Sequence, residues 1–373
     1  MRAHPVLPLR PCKRGKIGTS IEHGQTPMNS FADDLLAWYA RNGRTLPWRG
    51  LDDPYPIWIS EIMLQQTRVE TVRPYYRRFL DRFPDPVRLA DAPEDEVLAL
   101  WSGLGYYARA RNLHAAAQRI RDEHGGAFPR DFEAVVALPG IGPSTAGAIL
   151  SSAFNQDHAI LDGNVKRVLA RVEAEPEFPG RTPVERRLWQ SARDRTPAGR
   201  ARDYNQAIMD LGATLCQRTN PACTDCPVRR HCRARELGIQ DQLPARKPKK
   251  ANPVRPVWLA LVESVDGLLL EKRPPTGFWG GLWCPPLVDL GDEADPAEAC
   301  AALAERLGGQ FALVEREPAY RHTFSHFHLD LHPLRLRWDG QAVGDGERCW
   351  AGPADAPRLG LPAAIAPWIT GTP

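Results

Sequence analysis

No stretch of this 373-residue chain holds the roughly 20 consecutive apolar residues that a membrane-spanning helix needs, which excludes such a helix. The N-terminal segment is basic, but its best apolar run is Val6-Leu7-Pro8-Leu9. That is too short for a secretory signal, so a cytoplasmic protein is expected. Neither sign of charge dominates: 48 Lys and Arg against 45 Asp and Glu leave +3, which neither requires nor excludes a nucleic-acid partner. Lysine itself is scarce. Only 7 of the 48 basic residues are lysines and none lies between Lys16 and Lys166, so no side-chain amine from that stretch can serve as a Schiff-base nucleophile. Strand-like alternation is almost missing between residues 29 and 235, and no internal repeat is present.

Residues 1–28 are rich in Pro, Arg and Gly without periodicity and read as a disordered basic tail, with Met28 an alternative start. Residues 29–235 read as an all-α domain. Ser30 is a fitting N-cap for a helix through Leu35, Leu36, Trp38 and Tyr39. Helical spacing recurs over Ile57–Tyr76, Glu94–Leu100, Ala108–Glu123, Asp131–Leu138, Thr145–Ala153, Val165–Val172, Val184–Arg193 and Tyr204–Cys216. Residues 236–256 carry Pro244, Pro248, Pro253 and Pro256 among Arg246, Lys247, Lys249, Lys250 and Arg255, and no acid follows Gln242. Proline and like charge keep such a segment extended, so it reads as a linker. Residues 257–373 read as an α+β domain, with strands at Val257–Glu263, Leu268–Lys272, His322–Leu331 and Leu334–Trp338 and a helix at Asp295–Leu307.

Of 8 cysteines, Cys216, Cys223, Cys226 and Cys232 stand in the spacing C-x6-C-x2-C-x5-C. Without an export signal a disulfide knot is disfavoured, which leaves a metal site: zinc or an iron–sulfur cube. Cys12, Cys284, Cys300 and Cys349 have no motif spacing. Leu138-Pro-Gly-Ile-Gly-Pro-Ser-Thr-Ala-Gly-Ala-Ile149 is a helix–hairpin–helix motif. Gly140 and Gly142 are expected to permit a positive-φ turn, and the free N–H groups of the second helix to form an anion site for a DNA phosphate. Asp162 precedes the Val165 helix and can cap it or offer its carboxylate to a developing cation. Glu61 is a single acid inside an apolar helical stretch; desolvation there would raise its pKa enough to keep a proton near neutrality. His322, His326, His328 and His332 fall on one side of an alternating segment, but without acidic partners a metal site there is disfavoured.

The cysteine spacing resembles the [4Fe–4S] loop of the endonuclease III superfamily of DNA glycosylases. Ser60-Glu-Ile-Met-Leu-Gln-Gln-Thr67, Leu161-Asp-Gly-Asn-Val-Lys-Arg-Val168 and Trp101-Ser-Gly-Leu-Gly-Tyr-Tyr107 are similar to segments of its adenine-specific branch, the MutY type. The resemblance spans 30–235 nearly continuously. It implies an all-α helix-hairpin-helix glycosylase domain with an iron–sulfur loop at 216–232, followed by a Nudix-like domain. In that family the residue matching Glu61 protonates adenine, and the one matching Asp162 stabilises the sugar cation. Gln66 and Tyr106 match residues that enter the base stack. Arg49, Gln65, Asn164 and Gln206 match pocket or DNA-binding positions. Ser144 occupies the place where strand-cutting relatives carry lysine, which implies base excision without efficient strand cleavage. Leu268–Pro286 is similar to a Nudix entry segment, but Ala297–Gly308 lacks the R-E-x-x-E-E pattern that Mg²⁺ would need, so pyrophosphatase chemistry is not expected. Phe324-Ser325-His326 matches the loop that reads 8-oxoguanine opposite the adenine. The partner implied is double-stranded DNA with an A:8-oxoguanine or A:G mispair, bound by a monomer in the cytoplasm, at the nucleoid if the source is bacterial.

Overall fold

The computed structural model describes residues 30–247, 251–291, 295–340 and 347–371; the tail at 1–28 and the linker lysines Lys249 and Lys250 lie outside them. Among the described residues twelve α-helices come first: α1 (Phe31–Asn42), α2 (Pro54–Leu64), α3 (Val69–Arg82), α4 (Pro86–Asp91), α5 (Glu94–Trp101), α6 (Ala108–His124), α7 (Phe132–Val136), α8 (Pro143–Phe154), α9 (Gly163–Val172), α10 (Thr182–Arg195), α11 (Ala201–Thr214) and α12 (Arg233–Glu236). Ser30 caps α1 as expected: its Oγ accepts from Asp33 N, and the Asp33 carboxylate accepts from Ser30 N, each at 3.2 Å. The apolar run over 57–76 is two helices rather than one. It breaks at Gln65–Arg68, where Gln66 takes φ +58, so α2 and α3 can turn against each other.

A mixed sheet follows, built from β1 (Val254–Ser264), β2 (Gly267–Lys272), β3 (Trp283–Cys284), β4 (Leu287–Val288), β5 (Phe311–Arg316), β6 (Tyr320–Thr323), β7 (His328–Trp338) and β8 (Arg348–Ala351), with α13 (Pro296–Leu307) and α14 (Ala366–Thr370). Its main order is β3-β2-β1-β7-β5, with β1 and β7 parallel. Strand β1 starts at Val254, inside the segment read as linker. The single strand expected over 322–331 is a hairpin: β6 and β7 pair antiparallel around residues 324–327. The proposed row of histidines is thereby divided, with His322 on β6, His326 in the turn, and His328 and His332 on β7.

Two cores position the helices. Leu35, Val168, Leu169, Leu188 and Leu211 unite α1, α9, α10 and α11. Trp58, Phe79, Leu98, Trp101 and Leu113 unite α2, α3, α5 and α6, and the same core continues through Leu282, Leu329 and Ile365 of the C-terminal part. Each such fully buried side chain contributes about 1.5–3 kcal/mol by leaving water. The junction is close-packed: a Cβ on Gly360 would lie 2.7 Å from Leu98 Cβ. It is also polar. Ser102 Oγ and Tyr107 OH both donate to Leu361 O, at 2.9 and 3.0 Å, and Lys272 pairs with Asp95 at 2.8 Å. Tyr107 is therefore a packing residue.

Candidate active site

A cavity of about 480 Å³ opens between α2, α8, the segment entering α9, and α11. Arg49, Glu61, Gln65, Ser144, Asp162, Asn164 and Gln206 all line it. Two glycines bring these elements together. A Cβ on Gly147 of α8 would sit 2.7 Å from Ala159 O, and one on Gly212 of α11 would sit 2.7 Å from Asn164 Cβ. The chain therefore passes close to α8 and α11 just where Asp162 and Asn164 must enter the cavity.

Glu61 is half-buried on α2. Loss of hydration raises its carboxyl pKa first, and the charge of Asp162 adds to this. Arg49 opposes both, and the net result is a carboxyl pushed up to about 7. Asp162 is the N-cap of α9 and also lines the cavity. Oδ1 accepts from Val165 N at 2.8 Å and caps α9, while Oδ2 accepts from Asn164 Nδ2 at 3.2 Å. Burial pushes its pKa up as well, against the pull of those N–H groups. The cavity thus brings together a carboxyl pushed up to about 7 and a second carboxyl anchored by two N–H donors.

The hairpin keeps Gly140 at φ +77, but Gly142 is extended at φ −95. Gly142 is thus not a left-handed position. It is the N-cap of α8, and a Cβ there would meet nothing within 4 Å, so it leaves the N–H groups of α8 open to an approaching anion. Ser144 Oγ accepts from Leu161 N at 3.0 Å, tying the hairpin to the Asp162 segment. Gln65 and Gln206 rest on Thr145 and Ser152 hydroxyls at 3.5 and 3.2 Å. Arg49 commits both terminal nitrogens to Asp210, at 2.7 and 2.6 Å, leaving Nε buried without a partner.

Gln66 and Tyr106 stand outside the cavity wall, both in the left-handed backbone region, at φ +58 and φ +50. Tyr106 is 49% exposed. Non-glycine residues hold such angles at a cost of about 1–3 kcal/mol, and those costs gather at functional sites. In the β6–β7 turn Ser325 and His326 are exposed and in contact, with Oγ to Nδ1 at 3.3 Å. Phe324 is turned inward, stacked on Phe327 with ring centroids 4.5 Å apart.

The four clustered cysteines line one cavity at the far end of α9, beside Arg171, whose Nη1 donates to Cys216 Sγ at 3.2 Å. Among the described residues no three His, Cys, Asp or Glu side chains converge on a single ion. One zinc would draw its sulfurs to about 2.3 Å from a common point, whereas a four-iron cube bonds each thiolate at a different corner. Four thiols around one cavity are a donor set that a cube takes, one thiolate at each corner.

Residues 59–194 match the family described as HhH-GPD superfamily base excision DNA repair protein, and residues 257–371 match the NUDIX domain. An adenine DNA glycosylase of Buchnera aphidicola subsp. Baizongia pistaciae is 35% identical over 348 residues, covering 91% of this chain and 96% of its own length. The chain belongs to the adenine DNA glycosylase family. A mouse adenine DNA glycosylase is 44% identical over 367 residues, 84% of this chain and 71% of its own. Among solved structures, a thermostable thymine-DNA glycosylase aligns with a TM-score of 0.50 and 29% identity over 56% of this chain and 95% of that one.

This glycosylase also uses charges that the sequence left unmarked. Asp210 is fully buried and takes both Arg44 and Arg49. Burial pushes its carboxyl upward, but the hydrogen bonds from the two arginines outweigh that and hold it low. Arg167 bridges the cavity to the cysteine loop, with Nη2 on Asn164 Oδ1 at 2.7 Å and Nε on Cys216 O at 2.8 Å. Arg109 is buried beneath the Gln66 and Tyr106 turns. One signal was available for Asp210: like Glu61, it is a lone acid in an apolar helical run.

Proposed function

We propose that this glycosylase removes adenine paired with 8-oxoguanine, or with guanine, from duplex DNA by hydrolysis, with the adenine swung out of the stack into the Glu61–Asp162 cavity. The observation that carries this reading is a carboxyl held to about 7 facing a donor-anchored carboxylate in one cavity. Glu61 gives its proton to adenine N7. The glycosidic bond then breaks with its electron pair leaving on a neutral base. The Asp162 carboxylate stabilises the sugar cation, and water adds to that carbon and loses a proton.

Ser144 presents a hydroxyl already engaged with Leu161 N where a lysine would be needed for strand cleavage, so the product is an intact strand with an abasic site. Cys216, Cys223, Cys226 and Cys232 hold a [4Fe–4S] cluster that orders the 216–232 loop. Arg218 and Arg233 are exposed there and available to phosphates, whereas Arg230 is engaged by Asp34 at 2.7 Å. In the C-terminal part Ser325 offers a hydroxyl to the edge of 8-oxoguanine. Pyrophosphatase chemistry has little to work with on α13, where the Glu298 carboxylate is turned back onto Asp295 N at 3.1 Å. In a bacterial cell a DNA substrate implies the nucleoid.

The test is incubation with duplexes holding A opposite 8-oxoguanine, analysed with and without hot alkali. Breaks that need alkali are expected. Breaks without alkali would indicate a strand-cleaving enzyme, and no alkali-labile site would indicate a DNA-binding protein alone.

A further inference from the structure

Gln66 and Tyr106 are distant in sequence and lie on separate turns, one after α2 and one before α6. Both turns are held by the same side chain. Arg109 Nη1 donates to Ile62 O, Met63 O and Gln65 O at 3.0, 2.8 and 2.6 Å. These carbonyls lie at the C-terminus of α2 and its cap, where acceptor capacity is left over and a cation is favoured; Ile62 O also accepts from Gln65 N. Nη2 donates to Thr67 Oγ1, Leu104 O and Gly105 O at 3.1, 3.4 and 3.1 Å. One guanidinium thus grips Gln65 and Thr67, on either side of Gln66, and Gly105, directly before Tyr106. The same group lies between two rings, 5.4 Å from the centroid of Trp101 and 5.5 Å from that of Tyr106. Residue 109 is buried, so the planar fork is fixed by its packing. Neither left-handed turn has a glycine at its strained position, so something outside each turn must over-determine it.

We infer that Arg109 is a positioning residue that joins Gln66 and Tyr106 into one rigid two-pronged element, so that the two side chains enter the base stack together as the adenine leaves it. This rests on the glycosylase reading above. A fork is required: a lysine at this site would supply fewer donors, all from one point, and could not serve both turns at once. Two independently mobile prongs would have to be ordered during unstacking, whereas a preset pair has met that cost on folding.

The test uses the full chain and a duplex with 2-aminopurine beside the target adenine opposite 8-oxoguanine, with a Glu61→Gln background to prevent excision. Fluorescence gain on binding reports unstacking. Arg109→Lys is expected to keep DNA binding yet lose most of that gain, as are Gln66→Ala and Tyr106→Ala. Adding Arg109→Lys to either alanine variant should produce no further loss. With Glu61 restored, single-turnover excision by Arg109→Lys should fall by about tenfold or more, the scale set by unstacking a base step. A full fluorescence gain in Arg109→Lys, or losses that multiply with Tyr106→Ala, would overturn the inference. If Arg109→Lys does not fold, Thr67→Ala removes one acceptor beside Gln66 and should show a smaller loss of the same kind; an undiminished gain there would overturn it equally. Failure of the unmutated chain to excise adenine would instead refute the activity and leave the unstacking result to stand alone.

Discussion

Glu61 holds its proton because the cavity wall removes water from its carboxyl and Asp162 adds like charge, against an ordinary value near 4.5. That arrangement costs stability once the pH exceeds the ordinary carboxyl value. The unfolded chain releases the Glu61 proton above about 4.5, while the folded chain keeps it to about 7. Between those values the native state binds more protons, so stability falls as pH rises, and above 7 the whole penalty is present. Glu61→Gln removes the ionisation and keeps the shape. It should therefore raise stability at pH 8 by about 1–2 kcal/mol, discounted because the residue is only half-buried, and have little effect at pH 4. Denaturant melts at the two pH values check this, and an equal change at both would show that desolvation is not the cause. The same substitution should leave DNA binding intact while abolishing excision.

At the scale of elements, the site is a meeting of α2, α8, α9 and α11, and Ser144 is where its chemistry can be redirected. Ser144 lines the cavity with Asp162, so Ser144→Lys would place an amine beside the reacting sugar. Borohydride should then trap a covalent protein–DNA complex that the serine enzyme does not form; no trapped species would mean that position 144 does not reach the sugar. Much of this was legible in the sequence because the signals are local. Ser30 as a cap, the hairpin at 138–149, Asp162 before its helix and Glu61 in an apolar run each declare themselves within a few residues. Misreadings arose where local pattern underdetermines geometry. Helical spacing continues through 57–76 although Gln66 breaks it, and alternation continues through 322–331 although residues 324–327 turn the chain. Asp210 and Arg109 could not be assigned partners at all, since Asp210 meets Arg44 and Arg49 from 166 and 161 residues away. Only the fold creates those pairs.

Across the whole molecule, the C-terminal part is joined to the helical part at the Tyr106 turn itself. Leu361 O takes Ser102 and Tyr107, and Arg111 Nη1 donates to Gly280 O. On the function proposed above, the part that inspects the opposite base is packed against the segment that carries Tyr106. Ser325→Ala should narrow the preference for A:8-oxoguanine over A:G by about tenfold at most, the value of one specific base-edge contact, while excision from A:G changes little. Paired single-turnover rates on the two duplexes measure it; an equal loss on both would mean that Ser325 does not read the opposite base.

The claim on which all of this depends is that a protonated Glu61 works beside an ionised Asp162. The most direct measurement is the single-turnover rate of adenine excision from an A:8-oxoguanine duplex as a function of pH. The rate should decline as pH rises through about 7, because Glu61 loses the proton it must donate, and should fall again in acid as Asp162 is neutralised. A rate that is flat from about pH 6 to 8, or near-normal turnover by Glu61→Gln, would contradict it.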